Sequence, residues 1–525
     1  MYLTRSLLDF SKSGSWARMT MLARLSLLTS LASVALALNV PRSFENVNIV
    51  RSVELGGALT LTSTVYQLRA LEDGATEYTV TLSKNEGDHT SWFVSKLKDV
   101  ELDVTRGFDA TDNVYYYTIR LPEPVKRSQD LNIVVGTTLS HAAKPWPASA
   151  GQRDPQRLKF TSDLLILSPY ETLSQRTKIK SPTPKIASFE DPEPHSAFAK
   201  DSQVTHSGST VTYGPFASVP ASTSQSFQKE HQKPIFVSYE IDNAVVSIIS
   251  LNRVAEISHW GANLNIQDDI HLVNGGPKLK GHFSRVEHQH SKYYGRQNPS
   301  TLASLTLYLP PGISNTYFTD QNGNVSTSHF RGVPSVPQDQ SPFLHPELFA
   351  GATGKKAIVG KFSALEITPR YPLLGGWNYS FTLGWDAPLA DWAGVKGGKY
   401  YVAVPFLNTF KDVPVNDAEL KIILPEGATD VSVQTPFEVD STVRSTHISY
   451  LDTVGRPAIT LRKAMVTDKH DGMVYVSYKV PTYAHFKKPL VVATAMVGIF
   501  AFGLVARRVD PRIHTTGDAA TRKKQ

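Results

Sequence analysis

Leu59-Thr60-Leu61-Thr62-Ser63-Thr64-Val65-Tyr66 and Tyr78-Thr79-Val80-Thr81-Leu82 alternate at period two and are rich in β-branched and aromatic residues. Successive side chains of a strand point to opposite faces, so this pattern suits a sheet with one face buried. Val114-Tyr115-Tyr116-Tyr117-Thr118-Ile119 and Leu131-Asn132-Ile133-Val134-Val135 continue it. Apolar strand ends followed by proline recur at Ile119–Pro124, Leu307–Gly312 and Ile423–Gly427. Proline cannot donate to a ladder, so each copy is expected to stop a strand at the rim of a sheet. The predicted fold class is mainly β: two tandem β-sandwich-like domains followed by one C-terminal transmembrane helix.

Between Lys178 and Lys233 the texture changes to Pro, Ser, Thr and Gln, including Ser181-Pro182-Thr183-Pro184 and Asp191-Pro192-Glu193-Pro194. Such composition predicts loosely structured chain, with Tyr213-Gly214-Pro215-Phe216 inside it anchored. It divides a first β-rich domain, 38–232, from a second, 233–483, that opens with Ile235-Phe236-Val237-Ser238-Tyr239. Arg51-x-x-Glu54 before Gly57-Ala58-Leu59 is echoed by Arg253-x-x-Glu256 before Gly261-Ala262-Asn263-Leu264, which suggests a duplicated domain. Residues 331–360 are Pro- and Gly-rich and read as an exposed insertion.

Leu490–Ala506, LVVATAMVGIFAFGLVA, carries no charge over seventeen residues and reads as a membrane span. Lys487-Lys488-Pro489 precedes it, and the tail 507–525 is basic, with Arg507, Arg508, Arg512, Arg522, Lys523 and Lys524 against Asp510 and Asp518. Positive charge marks the cytosolic side, so everything before Leu490 is expected on the other side. Residues 1–37 fit a cleaved signal peptide: a basic lead, the apolar run LSLLTSLASVALA and the small-x-small pattern Ala35-Leu36-Ala37. Initiation at Met19 or Met21 would give a more ordinary signal, and an uncleaved signal-anchor is the alternative.

Residues 1–37 carry a net charge of +3 and the tail +4, which accounts for the whole formal +7 and leaves the ectodomain neutral. No nucleic-acid patch is implied. With no Cys in 525 residues, disulfides, thiolate metal sites and cysteine nucleophiles are excluded. Gly351-Ala352-Thr353-Gly354-Lys355-Lys356 lacks the first glycine of a phosphate-binding loop and has Lys356 where Ser or Thr would hold Mg²⁺. There is no Gly-x-Ser-x-Gly elbow and no Asp-x-Asp pair. Adjacent Asp268 and Asp269 would face opposite sides of a strand. His282, His288 and His290 form the best metal candidate, with His288 and His290 on one face of a strand, but no third ligand has suitable spacing. The expected catalytic, cofactor and metal residues are therefore none. Two glycosylation sequons remain: Asn324-Val325-Ser326, following the turn Asp320–Gly323, and Asn378-Tyr379-Ser380, adjoining a strand.

The second domain resembles the ribophorin I family, the large single-span subunit of the endoplasmic-reticulum oligosaccharyltransferase. The matching stretches are Ile257–Gly261, Leu279–Arg285, Gly323–His329, Pro369–Trp377, Lys421–Gly427 and Tyr450–Pro457, in the same order. The first domain matches through Asn46–Glu54, Ser168–Tyr170 and Tyr213–Phe216. The resemblance implies an accessory role in a complex that moves a preassembled glycan from dolichyl diphosphate to Asn-x-Ser/Thr of nascent chains. It implies as partners the catalytic and other subunits, nascent polypeptides and the translocon, with no cofactor. His282, His288 and His290 are not called for by the family pattern, and Arg522-Lys523-Lys524-Gln525 does not satisfy a dilysine retrieval signal. A secretory-pathway receptor or adhesion protein and a luminal hydrolase are the competing classes.

Overall fold

A computed structural model describes residues 40–199, 203–294, 300–334, 362–407, 410–449 and 452–509. The expected signal segment, the Gly351–Lys356 stretch and the tail beyond 509 lie outside the described residues.

Two successive units share one topology. In the first, a long sheet runs in the order Val204–Ser207, Thr210–Val219, Thr172–Lys180, Phe44–Leu55, Leu59–Ala70, Asp130–Ser140, Thr90–Leu97, Val100–Glu101. In the second the order is Ser441–His447, Arg456–Val466, Val415–Ile423, Val246–Ser258, Asn263–Asn274, Asn378–Pro388, Ser314–Asp320, Gly323–Asn324. Position by position the strands occur at the same points along the chain. Each sheet is antiparallel except at one pair, Phe44–Leu55 with Thr172–Lys180 and Val246–Ser258 with Val415–Ile423, which are parallel.

Each long sheet is covered by two short ones. The three-stranded cover is Ala75–Ser83, Val114–Val125, Val104–Asp109 in the first unit and Leu305–Leu309, Ser363–Ile367, Ser328–Arg331 in the second. The four-stranded cover is Ile186–Phe189, Pro234–Glu240, Arg157–Asp163, Ala143–Pro145, against Thr429–Gln434, Met473–Lys479, Lys399–Pro405, Ala393–Lys396. Alternation places Ile49, Arg51, Val53 and Leu55 on one face of their strand. Ile49 packs with Tyr78, Val80 and Ile119 of the first cover, whereas Val53 and Leu55 pack with Leu158, Phe160 and Val237 of the second. Both covers therefore lie side by side on the same face. In the second unit the two cores merge into one, with Trp385, Trp392, Leu420 and Val476 among its buried members. Each such side chain contributes about 1.5–3 kcal/mol by leaving water.

Arg51 and Arg253, from the sequence echo, occupy equivalent points between the covers. Arg51 Nη2 donates to the carbonyl of Asp163 at 3.0 Å and Arg253 Nη1 to that of Pro405 at 2.9 Å; these residues end corresponding strands. Their acids differ in origin. Arg253 forks onto Asp268 at 2.6 and 2.7 Å across the hairpin, while Arg51 pairs at 3.3 Å with Glu86 from the short helix Lys84–His89. As expected of adjacent strand residues, Asp268 points inward and Asp269 outward, where Thr382 Oγ1 donates to it at 2.7 Å.

Three expectations are corrected. Pro234–Glu240 pairs with Arg157–Asp163 and Ile186–Phe189, so the strand expected to open the second domain completes the first, and the seam falls within 241–245. The Pro/Ser/Thr-rich segment is more ordered than its composition: the anchored stretch Tyr213–Phe216 belongs to the strand Thr210–Val219, which pairs with Thr172–Lys180 and also buries Val211 and Val219. Strand Val114–Val125 runs through Pro122 and Pro124 because the register shifts between Arg120 and Val125, so that no ladder hydrogen bond calls on the missing proline N–H there. The other two proline copies do follow strand ends, at Leu309 and Ile423.

The units stack end to end. Lys278–Leu279 pairs with Ser149–Ala150, Gln152 and Ser284 exchange two hydrogen bonds at 2.9 and 3.1 Å, His141 Nε2 lies 2.6 Å from Asn416 Oδ1, and Trp92 meets His470 edge-on at 4.9 Å. The hairpin-turn end of the first unit thereby abuts the start of the parallel pair in the second. Below the second unit, helix Lys487–Ala506 has 20 residues, about 30 Å of helix, which matches a hydrocarbon core.

Candidate functional site

The six stretches that carry the resemblance gather at the two ends of the second unit. At the seam end, Pro369–Trp377 turns a corner after the strand Ser363–Ile367. Its two glycines do different jobs. Gly376 has φ +80°, while a Cβ on Gly375 would stand 1.9 Å from the carbonyl oxygen of Pro277. That close approach lets Leu279 N donate to Gly375 O at 3.2 Å while Lys278 N and Lys280 N donate to Ala148 and Ala150 of the first unit at 2.9 and 2.8 Å. Phe283 packs edge-on against Trp377 at 5.6 Å, bringing the Leu279–Arg285 stretch to the same corner.

Arg370 leaves this corner sideways and ties down the Asp320–Asn324 hairpin. It pairs with Asp320 and donates from Nη2 to the carbonyls of Gly323 and Asn324 at 3.2 and 3.0 Å. The Arg370 guanidinium, helped by the Asn322 amide and Tyr379 hydroxyl, holds the Asp320 carboxyl below its ordinary value. Tyr371 Oη donates to the carbonyl of Asn378 at 2.9 Å. One loop thus braces the backbone at both sequon asparagines. Asn324 lies on the outermost strand and Asn378 opens the strand Asn378–Pro388; both side chains are exposed. The hydroxyl residue of the second sequon, Ser380, lies 2.6 Å from His271 Nδ1. These two are direct register partners, so this is a cross-strand hydrogen bond on an open sheet face.

His288 and His290 lie on helix Arg285–Tyr293 rather than on a strand, where Ser284 caps the first turn from its hydroxyl. Residues two apart on a helix diverge by about 200°, so they do not share a face. Among the described residues no group of three His, Asp or Glu is arranged to hold a metal ion.

At the opposite end, three more stretches close around the start of the membrane helix. The turn Ile257–Gly261 supplies His259, whose Nε2 lies 2.9 Å from Tyr478 Oη and whose ring stacks on His485 at 5.6 Å, and Trp260, whose indole N–H donates to the carbonyl of His485 at 3.1 Å. Burial, reinforced by His485, lowers the His259 pKa to about 4. From Lys421–Gly427, Glu426 accepts the amides of Thr453 and Val454 at 3.0 and 3.1 Å, and Gly427, φ +82°, leaves room for Ala484, which a Cβ would meet at 2.8 Å. Burial alone would raise the Glu426 carboxyl, but the Thr453 hydroxyl and these amides outweigh it and hold it low. From Tyr450–Pro457, Arg456 reaches the carbonyls of Leu424 and Ile257 at 2.9 and 2.8 Å, and Asp452 pairs with Lys488 at 2.9 Å. In the sequence these stretches are separate, and only the fold makes them one assembly. Their recurring Gly, Pro and charged residues in otherwise apolar strand ends were the available signal.

Two β-units seated by their own loops on one long apolar helix, the one such helix among the described residues, fit a membrane-anchored protein. Comparison with known sequences narrows the class: the family model described as Ribophorin I matches residues 44–507, and the chain belongs to that family. It is 31% identical over 403 residues to the dolichyl-diphosphooligosaccharide–protein glycosyltransferase subunit 1B of Oryza sativa subsp. japonica, covering 76% of this chain and 75% of that protein. The Arabidopsis thaliana subunit 1B is 30% identical over 406 residues, 77% of each chain. Subunit 1 of Caenorhabditis elegans is 28% identical over 473 residues, 88% of this chain and 72% of that one.

Proposed function

We propose that this chain is an accessory, non-catalytic subunit of the oligosaccharyltransferase of the endoplasmic-reticulum membrane. Its ectodomain stands in the lumen, stabilises the complex and holds acceptor polypeptides near a catalytic subunit that carries out glycan transfer; the translocon is a further partner. One observation carries the reading. The stretches that resemble the family do structural work, closing the seam between units and seating the ectodomain on its helix, and they do not converge on a reacting centre. Transfer chemistry needs a group that polarises the acceptor amide and another that steadies the departing diphosphate. The charged clusters built here, Arg370–Asp320 and Arg456–Glu256, are internal braces.

Affinity purification of the full chain from membranes in mild detergent tests this reading. A multi-span glycosyltransferase subunit is expected to co-purify, and glycan transfer to an acceptor peptide should follow that subunit. Transfer by this chain free of other subunits would overturn the non-catalytic assignment, and a preparation without a transferase would overturn the whole reading. A receptor or adhesion protein would instead be recovered from the plasma membrane.

A further inference from the structure

Five large side chains near the start of the membrane helix, Trp260, Ile448, Val454, Tyr483 and Phe486, are each at least 64% exposed. They surround residues 484–488. Trp260 is fixed to the His485 carbonyl, Val454 follows the Asp452 that grips Lys488, and Ile448 lies against Gly455 of the same loop. We propose that this base is embedded in the headgroup layer of the bilayer, so that the ectodomain is held by a ring of interfacial side chains as well as by its helix. The proposal rests on the reading of Leu490–Ala506 as a membrane span.

Geometry sets the depth. The uncharged run begins at Leu490, two to six residues beyond the positions gripped by the loops, which at 1.5 Å per residue is about 3–9 Å. The headgroup layer on each side of the hydrocarbon core is roughly 5–7 Å thick. A loop held against residues 485–488, about 3–8 Å out, therefore lies in that layer or at its outer edge, where aromatic side chains concentrate. Two carboxylates of the base are turned inward. Asp452 is fully covered and bonded to Ser449 and Lys488, and Glu426 is spent on the amides of residues 453 and 454. Glu256 and Asp430 at the same rim are partly exposed, and each is paired, Glu256 with Arg456 and Asp430 with Lys399 and Lys479.

The duplication supplies an internal comparison. In the first unit the corresponding hairpin turn is Leu55-Gly56-Gly57-Ala58, which carries no aromatic residue. The penultimate tyrosine of the equivalent cover strand, Tyr239, donates to the carbonyl of Gly56 at 2.6 Å, as Tyr478 meets His259 in the second unit. There, however, Ile241 and Val245, on the way into the second unit, cover the turn. The same end of the fold thus faces protein in the first unit. In the second it carries Trp260 and faces the membrane.

Because the chain has no Cys, a single introduced thiol reports its own position. Val454→Cys, Val286→Cys and Ile499→Cys full-length chains, each labelled with an environment-sensitive fluorophore, are placed in phosphatidylcholine nanodiscs. The fluorophore at 454 should lose its emission to lipids bearing a headgroup nitroxide and resist aqueous iodide. The one at 286, exposed on the helix Arg285–Tyr293 at the far end of the unit, should do the reverse. Position 499 must respond to acyl-chain nitroxide; if it does not, the span reading fails and the proposal with it. If 499 responds while 454 is quenched by iodide as strongly as 286, the interfacial seat alone is refuted. Shielding of 454 from both quenchers, which would mark a protein partner, refutes it equally.

Discussion

Replacing Gly375 with alanine should damage the molecule more than the same change at Gly376, although Gly376 has the positive φ. A methyl carbon needs roughly 3.3 Å from a carbonyl oxygen. The Cβ at Gly375 would have 1.9 Å to Pro277 O and 2.8 Å to Pro277 C, both backbone atoms that cannot swing aside. Relief requires the 277–279 segment to retreat by more than 1 Å. That breaks Leu279 N to Gly375 O and disturbs Gly376 N to Asn274 O and Asn274 N to Trp377 O, bonds of 3.2, 2.8 and 3.0 Å. At about 1 kcal/mol net for each, the loss is roughly 3 kcal/mol. For a unit of this size such a loss lowers the melting temperature by roughly 6–12 °C. Alanine at Gly376 costs only about 1–2 kcal/mol for its left-handed backbone, because its nearest obstacle, Lys278 Cγ at 2.9 Å, belongs to a flexible side chain. Calorimetry of the full chain in nanodiscs gives the ranking. Hydrogen exchange at the Lys278 and Lys280 amides shows whether the link to the first unit opens with it. A Gly375→Ala protein that melts like the parent, or later than Gly376→Ala, would show that the close approach does not constrain the fold.

The two equivalent arginines should differ in cost. Arg253→Ala removes the forked cation from the fully buried Asp268 and is expected to lose about 3–5 kcal/mol in denaturant titration, whereas Arg51→Ala should lose less, because burial already pushes the Glu86 carboxyl up and lets it take a proton. Stability should fall with acidification between pH 6.5 and pH 4. His259 and His470 are both lowered to about 4 by burial, so the unfolded chain binds protons that the folded chain refuses, and stability present above pH 6.5 is lost as pH drops toward 4. Denaturation midpoints measured across that range check this, and His470→Gln should flatten the slope. Asn324→Gln and Asn378→Gln should each remove one endoglycosidase-sensitive band from chains made with microsomes, with the ectodomain protected from protease. Protection of the C-terminal tail instead would reverse the topology.

The period of two in Leu59–Tyr66 and Tyr78–Leu82 and the uncharged run 490–506 could be read directly, because each reports local covalent geometry or the length of a bilayer. The class of fold and the membrane helix follow from such local signals. The Arg51 and Arg253 echo was also legible, and with it the duplication. What local signals cannot state is which strand pairs with which, since any alternating segment satisfies the same pattern. Pro234–Glu240 looked like a beginning and is an end, because its hydrogen-bond partners lie some seventy residues back at Arg157–Asp163. The acids that neutralise the two arginines come from a helix in one unit and a strand in the other. Two adjacent glycines at 375–376 permit either a positive φ or a close approach, and only packing against Pro277 and Lys278 assigns one role to each. Likewise Trp260 lies 225 residues before the His485 it bonds, and it meets the Asp452 loop, which Glu426 holds and Lys488 pairs with, only because the sheet brings these strand ends to the same rim.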